Sequence, residues 1–512
     1  MDTKFKPDAM KLNYSPEEFR DIVMSGKKPM VVPLYTTIPM PNLKPYEMFQ
    51  TLYGREGFLL ESMMGEPREA SYSFLGGKPR AIINIGSTLS VDGEEDLVSL
   101  SGIKTDDPLQ SLRDILSQFV SVKNPGQRFL GGCIGYCSYD LVYQLYPTVR
   151  PCRTETSDSP VIRVMIVTDG LVYDYKNESL LLYSSPVISD DTDSSVMYNA
   201  AYDAISLLYR SIITKTTGNT EKKHNVREVE EPVILEPQSE SMSQDEYEDA
   251  VCKAREYIRA GDIFQVVLSR QVTYHFTGDP LILYEAVRRI NPGPYMFYIG
   301  FPDQYIIGSS PEMLVRVEEK TITTVPIAGT RPRGKTKKED DHFASDLLSD
   351  EKERSEHLML VDLARNDIGR VSEFGSIMVD DFMKIEKFSH VQHIVSCVHG
   401  TLEEGYDCID ALKACFPAGT LSGAPKVRAM QIIDELEPIC RGLYGGAVGY
   451  FGFDGNMDMA IAIRTVIAKD GLMILQTGAG IVADSVPSHE YEETEHKAKA
   501  LITALQTVKG ES

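Results

Sequence analysis

An α+β fold is predicted for this chain, and three observations carry that prediction. Strand-like runs arrive in consecutive groups, single helices separate those groups, and neither regular β-α-β alternation nor a short-period repeat appears. At 512 residues the chain is too long for one ordinary core, so two domains or one large composite domain are expected. Hydrophobic residues make up 42% and charged residues 25%, an ordinary globular balance that argues against disorder.

In the first half, short β-rich runs are punctuated by Gly and Pro: Met30–Ile38, Pro79–Gly86 and Val161–Tyr175. From Thr214 to Met242 the composition turns polar and charged, with almost no periodicity. The expected division is therefore an N-terminal region 1–213, a polar linker 214–242 and a C-terminal region 243–512. Ser243 and Glu246 form a capping box, and Tyr247, Ala250, Val251, Ala254, Tyr257 and Ile258 make one apolar helical face. Further helices are expected at about 337–364, 425–437 and 488–507. Strands are expected at Gln265–Tyr274, Tyr305–Ile307, Thr321–Ile327, Val391–Val398, Ala460–Ile467 and Met473–Thr477.

The 52 Lys and Arg stand against 75 Asp and Glu, a formal charge of −23. Such a surface repels phosphate backbones and anionic lipid, which disfavours nucleic acid and membrane as partners. The N-terminus has no apolar signal region, and no run of about 20 apolar residues could span a bilayer. Eight cysteines without a C-x-x-C pair point to reduced thiols and a cytoplasmic protein.

Some motifs mislead. Gly329–Thr336 satisfies the phosphate-loop pattern G-x-x-x-x-G-K-T, and Leu358–Asp362 imitates its magnesium-holding partner, so an ATPase is the rival from another class. Pro332 offers no N–H to a phosphate, however, and ERSEHLMLVDLARND has helical periodicity where a strand is required. The glycines at 446, 449 and 452 have the wrong spacing for a dinucleotide loop. Cys133 lacks an identifiable base and is expected in a packed turn.

Two acidic pairs carry the chemistry. Glu353 and Glu356 share a helical face, as do Glu490 and Glu493. Alone, each pair suits a solvated helix. If they converge, like charges at about 4 Å repel by about 4 kcal/mol at an effective dielectric of 20. A hard divalent cation would offset that repulsion, and oxygen ligands with room for water suit magnesium. Anion-binding features accompany them. The helix beginning near Pro425, with Lys426 and Arg428, could hold a carboxylate. Arg464, in an otherwise apolar strand, needs a partner such as a substrate carboxylate or a structural acid. His390 and His393 would face opposite ways along a strand, which defeats chelation. His393 shares its face with Val391, Val395 and Cys397, the setting of a core histidine, although an acid/base role is credible beside a carboxylate site.

Together the motifs PIAGTRPRG, ERSEHLMLVDLARND, KFSHVQHIVS, FPAGTLSGAPK, YGGAVGY, AIAIRT, TGAGIVADS and EYEET, in that order from about 326 to 494, resemble the chorismate-utilising enzymes. Among these the resemblance is greatest to anthranilate synthase large subunits. It implies two large antiparallel β-sheets packed together with helices outside. It also implies that Glu356 and Glu493 ligate Mg2+ while Glu353 and Glu490 support it through water. Gly329, Thr330, Tyr444, Arg464 and the amides of Gly478, Ala479 and Gly480 would hold chorismate, with Thr420 and His393 flanking its ring and His393 assisting proton transfer. The region 243–512 would then be catalytic, and 1–213 would supply a regulatory pocket and partner contacts.

Members that add water resemble this chain but carry a lysine base at Gln265, and a neutral amide cannot deprotonate water. Aminodeoxychorismate synthases, the nearer alternative, often carry a nucleophilic lysine at Ala328; its absence leaves ammonia as nucleophile. No glutaminase triad is present, so the resemblance implies a separate glutamine amidotransferase subunit in a heterotetramer. Leu60, Glu61 and Ser62, with Pro294, Tyr295 and Met296, resemble a feedback pocket for L-tryptophan in which the first three face the inhibitor. Ser71 stands where the family usually has an arginine. Tryptophan itself is absent from the chain, which would let an enzyme of tryptophan synthesis be translated when that residue is scarce.

Overall fold

Runs such as Ile162–Val167 (IRVMIV) and Tyr295–Gly300 (YMFYIG) are largely apolar, Arg163 excepted, because both faces of each strand are buried. In the computed structural model, which describes residues 10–63, 72–103, 107–150, 159–217, 234–388 and 391–507, these runs build a twelve-stranded and an eleven-stranded sheet. Their ladders are antiparallel. The sheets pack face to face: Phe58, Phe74, Val172 and Phe297 of one meet Ile134, Met165, Val448 and Tyr450 of the other. Helices cover the outer faces, with Phe19, Phe49, Ile205 and Tyr284 over the larger sheet and Leu112, Val361, Ile368 and Leu412 over the smaller. The α+β sandwich expected from the sequence is the fold. Among the described residues no helix is long and apolar enough to cross a membrane.

The sheets do not follow the division expected along the chain. Residues before 214 supply strands to both, for example Gly57–Glu61 to the larger and Gly132–Cys137 to the smaller. The expected linker is ordered at both ends, since one helix runs to Thr217 and Ile234–Glu240 forms an edge strand. Its middle, Ser71 and His390 lie outside the described residues.

Several elements expected as single runs are divided, and the breaks have local causes. Pro33, which has no N–H, separates Met30–Val31 from Leu34–Pro39. Pro326 likewise stands between Thr321–Thr324 and Ile327–Pro332. Asp350 divides the helix expected over 337–364 by leaving helical geometry and accepting hydrogen bonds from the N–H groups of Lys352 (3.0 Å) and Glu353 (3.3 Å). Pro425 caps the Lys426–Leu436 helix from outside its first turn.

The chain also crosses between the sheets. The chain changes sheet at Thr168, at Pro311–Glu312 and at Ala462–Arg464. Arg464 therefore lies not within a strand, as expected, but at a corner with φ of +49°. The last two corners are bonded together, by Ile461 N–H to the Glu312 carbonyl (3.0 Å) and Ser309 N–H to the Arg464 carbonyl (3.2 Å).

The C-terminal helix Pro487–Thr507 is pinned by Arg270, which is fully buried. Arg270 donates to Thr494 Oγ1 (2.9 Å) and Glu240 (2.8 Å), pairs with Glu495 and stacks on Tyr491. A buried guanidinium needs such company.

Candidate active site

The edge strand Ile327–Pro332 carries a register shift between Ala328 and Arg331 where it pairs with Val391–Thr401. Gly329 takes φ of +67° there, and a Cβ on it would lie 2.8 Å from Leu347 Cδ1 and 3.0 Å from a Glu353 oxygen. Glycine thus lets the helix bearing Glu353 close onto the strand. The Gly329 carbonyl accepts a hydrogen bond from His393 Nδ1 at 2.7 Å, with Thr330 Oγ1 3.2 Å away. A carbonyl only accepts, so Nδ1 carries the proton and Nε2 keeps its lone pair. Burial, aided by the Arg464 charge, lowers the imidazole pKa against the pull of that carbonyl. The shift biases His393 towards its neutral form. It does not sit on the core face of its strand, as the expected pattern had it; Gln392, Ile394, Ser396 and Val398 do.

At the paired corners, Thr420 Oγ1 donates to Glu312 Oε1 at 2.9 Å. Burial pushes the Glu312 carboxyl up to about 7, with Thr420 and Arg464 opposing. The Arg464 guanidinium is open to solvent yet ringed by protein, the environment of a cleft wall; burial lowers its pKa. Its one hydrogen bond, to Asn291 Oδ1, is 3.5 Å long, and among the described residues it has no ion pair. A guanidinium so placed lacks the planar anion it fits.

The strand Leu472–Ile481 outruns its partner Thr465–Lys469, so Gly478, Ala479 and Gly480 have a strand neighbour on one edge only. The Tyr444 ring, over which Arg441 lies at 5.6 Å, brings its hydroxyl to 2.7 Å from where a Gly478 Cβ would be. Lys497 donates to the Gly478 carbonyl (2.8 Å) and pairs with Glu493 (2.7 Å). Burial raises the Glu490 pKa, with Glu493 adding to it. On the other sheet, burial and then Glu353 raise Glu356, while Glu353 meets Arg331 at 3.3 Å.

Among the described residues no three His, Cys, Asp or Glu side chains form a ready metal cage. The Glu353/Glu356 pair is carried by a helix packed on one sheet and the Glu490/Glu493 pair by a helix packed on the other, and carboxylate oxygens are the ligand type that a hard cation takes together with water and substrate. Glu356 and Glu490, the members of each pair that form no ion pair among the described residues, have raised pKa values, which a bound cation would reverse.

Other expected anion sites are occupied by the protein itself. Lys426 is buried against Asp367 at 2.8 Å, and Arg428 pairs with Asp262 at 2.7 Å, so neither is available to a ligand carboxylate. The apparent phosphate loop is filled likewise: Gly334 N–H donates to Asp340 (2.8 Å) and Lys335 N–H to Glu339 (2.9 Å). Asp362 lies on a helix, not at a strand end. Cys133 is buried in a strand instead of a turn, its thiol pushed up to about 12 by burial.

A separate cavity of about 290 Å³ is lined by all six residues of the expected regulatory pocket: Leu60, Glu61, Ser62, Pro294, Tyr295 and Met296. Two of them are also engaged elsewhere. The Glu61 carboxylate is held by Tyr284 (2.5 Å) and Arg288 (3.0 Å), and Met296 packs into the core beneath the helices.

Residues 66–503 match the family profile of the chorismate binding enzymes. Anthranilate synthase component 1 of Aquifex aeolicus is 44% identical, covering 97% of this chain and 98% of that protein; the Acetivibrio thermocellus protein of the same name is also 44% identical, covering 88% and 90%. The chain belongs to the chorismate binding enzymes, in their anthranilate synthase component 1 branch. A crystal structure of anthranilate synthase component I from Streptococcus pneumoniae covers 91% of this chain and 98% of its own, at 36% identity and a TM-score of 0.70. The menaquinone-specific isochorismate synthase of Escherichia coli, at 18% identity and a TM-score of 0.65, shares the fold. In this family member Gln265, where hydrating relatives are expected to carry lysine, has its amide nitrogen 3.0 Å from where a Gly480 Cβ would lie.

Sequence reasoning missed Glu312, Lys497 and Asn291. The Glu493-to-Lys497 spacing of four was legible on a predicted helix. Glu312 offered one hint, an acid between Pro311 and an apolar run; its partners Thr420 and Arg464 are remote in sequence.

Proposed function

We propose that this chain aminates chorismate with ammonia and eliminates pyruvate to give anthranilate, the first committed step towards tryptophan. The observation that carries the reading is one corner of the fold. A carboxyl whose pKa is pushed up to about 7, a guanidinium with no ion pair among the described residues and an imidazole biased towards its neutral form gather there, in Glu312, Arg464 and His393. Arg464, Tyr444, Gly329, Thr330 and the amides of Gly478 to Gly480 bind the substrate's carboxylates and ether, with Thr420 beside the ring. Ammonia attacks C2, the ring double bonds shift, and the C4 hydroxyl leaves as water with the proton of Glu312. His393 Nε2 then takes the C2 proton. The released electron pair completes the aromatic ring as the C3–O bond breaks. The enolpyruvyl group leaves as an enolate and becomes pyruvate by taking at its methylene carbon the proton that His393 holds, while the ammonium formed at C2 gives up a proton that restores Glu312.

Glu356 and Glu493 would hold Mg2+, with Glu353 and Glu490 supporting it through water. When bound, the ion neutralises the ring carboxylate and orients it. Glutamine-derived ammonia would come from an amidotransferase subunit, component II, in the cytoplasm. Anthranilate is favoured over aminodeoxychorismate by Ala328, where synthases of the latter often carry a nucleophilic lysine, and by His393, whose free nitrogen serves the elimination that the latter reaction omits. L-tryptophan would occupy the 290 Å³ cavity as a feedback inhibitor.

The test is anthranilate fluorescence from the pure chain with chorismate, Mg2+ and either ammonium or glutamine. Product from ammonium alone is expected. An aminated product that retains its enolpyruvyl group would overturn the assignment, and product from glutamine would refute the need for a second subunit.

A further inference from the structure

A cavity of about 670 Å³ shares no lining residue with the active site or with the cavity assigned to tryptophan. It lies at the free edge of the larger sheet, between residues 10–13, the strand Leu34–Pro39 and the helix Ser194–Thr217. Leu12, Ile38, Tyr209 and Ile212 supply apolar wall.

Two features give this cavity a chemical preference. The first is an unspent strand edge. Tyr35 turns its N–H and C=O outward to Asn13, at 2.8 and 3.0 Å, whereas Met40 N–H points inward to the Glu178 carbonyl. By the period of two, Thr37 also points outward, and among the described residues its backbone N–H and C=O have no partner. The second is charge. The cavity's charged lining residues are Lys11 and Arg210, with no acid among them, in a chain of net charge −23. Neither cation is in an ion pair among the described residues; Lys11 feels Glu18 through longer-range attraction.

We infer that this cavity binds a small amphipathic monocarboxylate, its apolar body within the walls and its carboxylate at Arg210 and Lys11. The volume suits one such ligand, since small-molecule pockets run to roughly 300–1,000 Å³. This inference stands apart from the proposed catalytic function.

The test titrates the full chain with the apolar anion 1-anilinonaphthalene-8-sulfonate and with its uncharged analogue N-phenyl-1-naphthylamine. The anion should bind at one site at least about tenfold more tightly than the analogue, the scale of a charge-assisted hydrogen bond. Lys11→Glu with Arg210→Glu should remove that preference, and Ser206→Trp, which fills the cavity, should abolish binding of both probes. Decanoate or 3-phenylpropionate should displace the anion. Equal binding of the two probes, undiminished binding to the charge-reversed chain, or displacement by chorismate or L-tryptophan but by neither carboxylate would overturn the inference.

Discussion

The active-site cleft and the 290 Å³ cavity beside it treat charge in opposite ways. In the cavity, Arg316 pairs with Asp458 at 2.8 Å and reaches the Tyr295 hydroxyl at 2.9 Å, while Glu61 is held by Arg288 and Tyr284. In the cleft, Arg464 has one long hydrogen bond, His393 keeps a free nitrogen, and Glu356 faces the like charge of Glu353. Paired charges build a shape, whereas unpaired ones are available to a substrate. The two regions also touch. Pro311 and Met313 line the cavity and flank Glu312, and Phe388, another lining residue, has its ring 5.2 Å from that of His393.

The sharpest way to break this comparison is Glu356→Gln. With Glu356 a ligand of the proposed Mg2+ site, anthranilate production should fall below detection, read by titrating the ion. Thermal stability should hold or rise, since repulsion from Glu353 is relieved. Retained activity would remove Glu356 from the site.

Glu312→Gln should cost about 10²–10⁴ in rate, the range of general acid catalysis. In the parent, activity needs the protonated carboxyl and should decline as pH rises through about 7; the variant should lose that alkaline limb. Stability has the same sign. The folded carboxyl keeps its proton up to about pH 7, whereas the unfolded one releases it near 4.5, so the parent loses stability across that interval. Denaturant melts of the variant over the same pH range should lack that slope.

Arg316→Met probes the opposite kind of charge. It leaves Asp458 nearly buried without its partner, so a loss of about 3 kcal/mol is expected in chemical denaturation. The effect on the amination rate should be small by comparison. Loss of activity without loss of stability would mean that this pair belongs to the chemistry.

Met313→Ala should have the smallest effect, weakening L-tryptophan inhibition by about fivefold, roughly 1 kcal/mol of coupling. Its turnover without inhibitor should change little. Unaltered inhibition would exclude Met313 as a link between the two regions.

How much of this was legible follows from distance along the chain. The Glu353/Glu356 and Glu490/Glu493 pairs, the Ser243 cap and the strand character of Val391–Val398 arise from spacings of a few residues, and periodicity reports those directly. The sheet crossings were not legible. Apart from Arg464 and Thr465, Ala460–Ile467 is apolar because two sheets bury it in turn, and the φ of +49° at Arg464 marks the corner.

By itself, the sequence determined the α+β class, the family and the acids on two helices, because short-range pattern and motif order suffice for each. The tertiary structure alone decided that Lys426 and Arg428 are committed to Asp367 and Asp262, that the phosphate-loop pattern closes on its own acids, and that Glu312 joins Thr420 and Arg464. Whether a charge is spent or available depends on partners far along the chain, 227 residues away for Glu61 and Arg288, and the packing of strands between two sheets supplies them.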